Sequence, residues 1–151
     1  MIKIDFKRNY KFGKSHTFGS LCIAKDEVFK PIDGGDYTYD YPYWISSRGQ
    51  VFSQLSGKSL RQYRNQKNGY AFVDLIKNGK REKVYVHRLV AHFFLDKPHG
   101  KTEVNHINGD KLDNRVSNLE WVTRTENAQH YHTILKPMRE SIGDNGATDA
   151  E

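Results

Sequence analysis

Residues 70–95 constrain the fold more than any other stretch of the chain. Tyr70-Ala-Phe-Val-Asp-Leu-Ile and Glu82-Lys-Val-Tyr-Val are β-type runs that bracket Lys77-Asn78-Gly79-Lys80. Asn-Gly accepts the two positive φ angles of a type I′ turn, which joins antiparallel strands without splaying them. At Val86 the period changes. Leu89, Val90, Phe93 and Phe94 recur at helical spacing, which predicts a short amphipathic helix over 86–95, ending before Pro98. A tight hairpin feeding a helix makes this an α+β chain with antiparallel strands.

The flanks extend that pattern. Upstream, Tyr43-Trp-Ile-Ser and Gln50-Val-Phe-Ser flank Ser47-Arg48-Gly49, a strand–turn–strand unit, and Ser56-Gly57-Lys58 is a further turn. Downstream, Glu103-Val-Asn-His-Ile and Leu119-Glu-Trp-Val enclose a polar loop from Asn108 to Asn118. Thr123-Arg-Thr-Glu126 is a capping box. It opens a predicted helix through Ile134 that Pro137 should stop. The expected organisation is an N-terminal extension (1–26) without a clear period, a β-rich module with its connecting helix (27–99), a second unit (100–136) and an acidic flexible tail (137–151).

Composition enters as a set of exclusions. Hydrophobic residues make up only 36% of the 151 positions, yet 8 Phe, 9 Tyr and 2 Trp argue against disorder, because each buries a large area. The apolar stretch from Leu89 to Leu95 is too short to span a bilayer. The N-terminus lacks an apolar signal region, so a soluble protein of the cytoplasm with no membrane partner is expected. The single cysteine, Cys22, leaves no disulfide framework and no zinc site built on paired cysteines.

The net charge of +6 is unevenly placed. Residues 41–104 carry 12 basic and 4 acidic side chains, whereas 105–136 carry 4 of each. In the basic stretch Arg48, Lys58, Arg61, Arg64, Lys67, Lys77, Lys80, Arg81 and Lys83 are interleaved with Tyr63, Tyr70, Phe72 and Tyr85. That mixture favours a polyphosphate partner, since each cation placed on a phosphate releases condensed counterions. Arg48, Lys58, Arg61, Arg64, Lys67 and the helix residue Arg88 are the expected phosphate contacts.

The second unit carries the chemistry. Asn105 and His106 end its first strand, Asn118 precedes the second, and Asn127 lies one turn into the helix. If that helix packs across the hairpin, Asn105 and Asn127 approach each other and His106 points into the same cleft. Carboxamide oxygens suit a loosely held Mg²⁺ or Mn²⁺. A neutral imidazole beside such an ion can take a proton from water near pH 7. His130, one turn from Asn127, is within reach of the cleft, and His132 is expected to face water.

Val104-Asn-His-Ile-Asn-Gly-Asp-Lys-Leu-Asp-Asn-Arg-Val-Ser-Asn-Leu-Glu-Trp-Val-Thr, followed by Asn127, resembles the HNH endonuclease motif in its His-Asn-Asn form, as in phage and group I intron homing endonucleases. Glu27-Val-Phe-Lys-Pro-Ile-Asp-Gly and Tyr43-Trp-Ile-Ser-Ser-Arg-Gly-Gln-Val-Phe-Ser resemble the nuclease-associated module that often precedes it. Val86-His-Arg-Leu-Val-Ala-His-Phe-Phe resembles the helix joining the two.

The resemblance implies a ββα-metal nuclease unit and a homing-type endonuclease that cuts double-stranded DNA as a monomer. It implies His106 as general base, Asn118 holding the His106 loop, and Asn105 and Asn127 as ligands of one divalent ion, Mg²⁺ or Mn²⁺. Asn105 stands where an aspartate ligand is familiar, which weakens the grip on the ion. A DNA-binding protein with a degenerate, inactive nuclease centre is therefore the alternative. A third class, an RNA-binding protein that stacks bases on exposed aromatics, ranks below both.

Overall fold

The computed structural model describes residues 26–142 and the backbone of three short strands nearer the N-terminus. In chain order these strands are β1 (Tyr10–Lys11), β2 (His16–Phe18) and β3 (Leu21–Ile23). Then come β4 (Val28–Pro31), β5 (Tyr43–Ser46), β6 (Val51–Ser53), β7 (Lys58–Ser59), β8 (Tyr63–Arg64), β9 (Ala71–Lys77) and β10 (Lys80–Tyr85). Helix α1 (Val86–Phe94), strands β11 (Glu103–His106) and β12 (Leu119–Val122), and helices α2 (Arg124–His130) and α3 (Lys136–Ser141) complete the order.

The Asn78-Gly79 turn forms as expected, with φ of 53° and 70°. It pairs Lys80 with Lys77 and Tyr85 with Phe72 across an antiparallel hairpin. β8 adds to the other edge of β9, giving the order β10-β9-β8. A five-stranded sheet runs β1-β4-β5-β6-β7. Its first strand belongs to the 1–26 extension, because Tyr10 pairs with Phe29 and Lys11 with Val28. The sheet of the module thus reaches back past the boundary expected at residue 27.

Helix α1 ties the chain together. Val86, Leu89 and Val90 are fully buried, and one apolar cluster joins them to Ile45 and Val51 of the first sheet, Val73 and Leu75 of the second, and Val104, Leu119 and Trp121 of the β11–β12 hairpin. The Trp121 indole N–H also donates to the Ala91 carbonyl at 3.3 Å. Truncating a fully buried leucine such as Leu89 to alanine costs about 2–5 kcal/mol, through lost burial and the cavity left behind.

The chain departs from expectation at Pro137. The capping box is present: Thr123 N–H donates to Glu126 Oε2 at 2.7 Å, and Glu126 N–H donates to Thr123 Oγ1 at 3.2 Å. The helix it starts does not stop, however. A π-helical turn at Tyr131–Leu135 follows α2 and leads directly into α3, whose first turn contains Pro137. Proline lacks an N–H that the first turn would leave unpaired in any case. The widened turn, in which Lys136 N–H reaches the Tyr131 carbonyl, lets the chain continue past it. Residues 137–141 are therefore helix rather than tail. The remainder of the expected tail, 143–151, lies outside the described residues.

Candidate active site

The register of β11 and β12 sets the site. Asn105 pairs with Glu120, His106 with Leu119 and Glu103 with Val122. Strand alternation places Glu103 and Asn105 on one face, while Val104 and His106 turn to the other. Four polar side chains of this unit, Asn105, His106, Asn114 and Asn118, are buried to 7% exposure or less. Buried polar groups need partners, and each of these has one.

Asn118 organises the loop between the strands. Its Oδ1 accepts the Asn108 N–H at 3.0 Å. Its Nδ2 donates to Asn108 Oδ1 and to the Asp113 carbonyl, both at 2.9 Å. Asp113 is also held by Arg115 in a two-point pair of 2.8 and 2.7 Å, which lowers its carboxyl to about 2. Asn118 does not line the cleft described below; its hydrogen bonds all go to the loop.

His106 is fixed by Asn114, a residue of the polar loop between the two strands. Its Nε2 lies 2.9 Å from Asn114 Oδ1. The Asn114 amide group donates to the Leu112 carbonyl at 3.4 Å, which turns the oxygen toward the histidine. Nε2 must then carry the proton, leaving Nδ1 as the basic nitrogen. Tyr70 stacks on His106 with 5.7 Å between centroids, and on His87 at 4.5 Å. Burial lowers the His106 pKa, against the raising influence of the Asn114 hydrogen bond and of Asp110 and Asp113. His87 is lowered to about 3, first by burial and then by the charge on His106. Both imidazoles are neutral near pH 7.

Asn105, His106 and Asn127 share one open cleft of about 360 Å³, together with Tyr70, Glu103, Lys111, Arg124, Tyr131 and His132. The expected convergence of the three motif residues is present, with one difference. Each carboxamide is pinned by a carboxylate instead of facing the other. Asn105 Nδ2 donates to Glu120 Oε1 at 2.9 Å, and Asn127 Nδ2 donates to Glu103 Oε2 at 2.7 Å. A carboxylate only accepts hydrogen bonds, so both amide nitrogens are committed and both Oδ1 atoms remain as donors to a cation. Among the described residues no cluster of three or more His, Cys, Asp or Glu could hold a metal ion. Oxygen donors of this kind suit a hard divalent ion that keeps most of its waters.

His132 lines the cleft and His130 does not, the reverse of the sequence expectation. The cleft-lining positions Arg124, Asn127, Ala128, Tyr131 and Leu135 recur at helical spacing, and His132, four residues after Ala128, shares their face while His130 does not. The π turn at Tyr131–Leu135 sets Leu135 against Gly109, where an added Cβ would come within 2.8 Å of Leu135 Cδ2.

All six expected DNA contacts, Arg48, Lys58, Arg61, Arg64, Lys67 and Arg88, are exposed. Arg88 opens onto a neighbouring cleft shared with Glu103 and Asn127, and Arg64 lies beside Lys111 across Gly69. Sequence reasoning missed Lys111 and Arg124, the two cations that line the cleft itself, and the carboxylates Glu103 and Glu120. The two-residue spacing of Glu103 and Asn105 on a strand was the available signal.

The module touches the β11–β12 loop directly. The Ser47 carbonyl accepts the Val116 N–H at 2.8 Å. Gly49, at φ +84°, sits so close to the loop that a Cβ there would lie 2.8 Å from Asn114 Cβ. The turn that looked like a simple strand connector is pressed against the residue that orients His106.

A buried histidine on a β-hairpin, two asparagines in one cleft with it and a helix behind form a ββα unit, and the sequence agrees. The HNH endonuclease profile matches residues 84–129 and the NUMOD4 motif profile matches residues 27–76. The chain belongs to the HNH endonuclease family. Its fold is similar to that of the HNH homing endonuclease I-HmuI in a structure of DNA binding and cleavage, with a TM-score of 0.59 and 32% identity over 78% of this chain and 67% of that one.

In sequence it is 38% identical over 92 residues to DNA endonuclease I-HmuI of Bacillus phage SP01, covering 61% of this chain and 52% of that protein. It is 43% identical over 111 residues to the uncharacterized HNH endonuclease L247 of Acanthamoeba polyphaga mimivirus, covering 70% and 26%. The chain thus spans from 26% to about half of the length of these curated relatives. None of the described helices is long and apolar enough to cross a membrane.

Proposed function

We propose that the chain is a homing-type DNA endonuclease that hydrolyses a phosphodiester bond of duplex DNA with one divalent ion, Mg²⁺ or Mn²⁺. The observation that carries this reading is the state of His106. It is neutral, buried at 4% exposure and held through Nε2 by Asn114, so Nδ1 is its proton acceptor.

His106 Nδ1 takes a proton from water as the water oxygen bonds to phosphorus. The bond from phosphorus to the 3′ oxygen breaks, and that oxygen leaves with a proton from solvent. A general base so placed contributes about 10²- to 10⁴-fold to the rate. Asn105 Oδ1 and Asn127 Oδ1 would hold the divalent ion, whose charge stabilises the pentacoordinate phosphate and the leaving oxygen. Lys111 and Arg124 face the same cleft and would draw the phosphate in. Residues 27–99 lie along the duplex through Arg48, Lys58, Arg61, Arg64, Lys67 and Arg88, and present the minor groove to the 100–136 unit. The enzyme works as a monomer in the cytoplasm of the host cell.

Plasmid nicking with Mg²⁺ or Mn²⁺ tests the reading. Metal-dependent cleavage lost in His106→Ala supports it, and equal cleavage by that variant sinks it. The neutral pair Asn105 and Asn127 favours a second reading, a DNA-binding protein with an inactive centre. Duplex binding without metal-dependent cleavage in the wild-type protein would establish that alternative.

A further inference from the structure

Two carboxamide oxygens bring no charge to a divalent ion, and hard ions are held in water chiefly through carboxylates. Among the described residues that line the cleft, Glu103 is the one acidic side chain. It shares a strand face with Asn105, and its Oε2 holds Asn127 Nδ2 at 2.7 Å. It therefore stands between the two oxygen donors. Its carboxylate is half-buried, and among the described residues no Lys or Arg forms an ion pair with it.

We infer that Glu103 is the anionic member of the divalent-cation site, supplying the charge that Asn105 lacks while fixing the amide of Asn127. This rests on the reading of the cleft as a metal-dependent nuclease centre. Glu120, which pins Asn105 from the exposed side of β12, lies outside the cleft and serves only to orient that amide.

The two roles of Glu103 separate experimentally, because glutamine keeps an acceptor oxygen for Asn127 but removes the charge. Mn²⁺ binding to the full chain, followed by the electron paramagnetic resonance signal of free Mn²⁺, is the readout. Glu103→Gln should weaken Mn²⁺ binding by about tenfold or more. Glu120→Gln should leave it within about twofold, since the acceptor for Asn105 is retained. Adding Asn105→Asp to Glu103→Gln should restore affinity, because a carboxylate returns to the same strand face. Glu103→Asp, which keeps the charge on a shorter arm, should bind Mn²⁺ better than Glu103→Gln, and this order holds even where one variant is less stable.

Wild-type affinity in Glu103→Gln, equal losses in Glu103→Gln and Glu120→Gln, or no Mn²⁺ binding by the wild-type chain each overturn the inference. Metal-dependent nicking that disappears in His106→Ala, alongside unchanged Mn²⁺ binding in Glu103→Gln, would remove Glu103 from the site and leave the nuclease reading standing.

Discussion

The module over residues 27–76 and the HNH unit over 84–129 handle polarity in opposite ways. In the module the cations are out in water, on the short strands β7 and β8 and on the turns around them, where each acts nearly alone. In the HNH unit Asn105, His106, Asn114 and Asn118 are buried and uncharged, and each is held by a hydrogen-bond partner within the unit. The first arrangement gives graded, salt-sensitive attraction. The second gives geometry that fails as a unit when one partner is removed. The two are kept apart in sequence yet share one apolar core through α1.

The largest effect should come from His106→Ala. Cleavage should fall by about 10²- to 10⁴-fold while duplex affinity, measured by gel shift, stays within about twofold of wild type. A parallel loss of binding would show that the two regions are not separable in function.

Gly49→Ala attacks the seam between them. The new Cβ would sit 2.8 Å from Asn114 Cβ at a φ of +84°, so Asn114 must move and His106 loses its anchor. Stability should drop by about 1–3 kcal/mol, and single-turnover cleavage should fall by about tenfold with DNA affinity little changed. A loss confined to DNA binding would place that turn in the module alone.

Acid should act on the buried histidines before it acts on the exposed cations. The folded-state pKa of His87, about 3, and the lowered pKa of His106 both lie below the ordinary value near 6.5. The unfolded chain therefore binds more protons in that window. Stability is full above about pH 6.5 and is lost as pH falls toward 3. Thermal melts should show the midpoint dropping by roughly 10 °C between pH 7 and pH 4, and His87→Gln should flatten that slope. Cleavage should keep its base form down past pH 6.5, because His106 is neutral there.

Asn118→Ala removes the partner of the partly exposed Asn108 N–H and Asp113 carbonyl, at about 0.5–1.5 kcal/mol for each bond lost. Hydrogen exchange in 108–114 should quicken first, ahead of the module. Arg64→Gln should be the mildest change. Duplex affinity should weaken slightly and the salt dependence of binding should lose about one unit of slope, with cleavage at saturating DNA unchanged. Unchanged salt dependence would remove Arg64 from the phosphate contacts.

Much of this molecule was legible from short stretches of chain. The Asn78-Gly79 hairpin, the α1 periodicity from Val86 and the Thr123–Glu126 capping box all depend on neighbours a few residues apart, and all three formed where expected. The convergence of Asn105, His106 and Asn127 was also readable, through their spacing in a motif. Pro137 shows where a local rule gives way. It reads as a helix stop, but after a π turn it occupies a first helical turn, where its missing N–H does no harm.

The sequence by itself determined the elements, the motif and the placement of charge, because each follows from side chains acting on their own stretch of backbone. Only the tertiary structure decided the partners. Asn114 with His106, Glu103 with Asn127, Glu120 with Asn105 and Gly49 against Asn114 are set by which strands and loops lie side by side. Burial then forces every polar group in that seam to find a mate, and no local pattern names which one it will be.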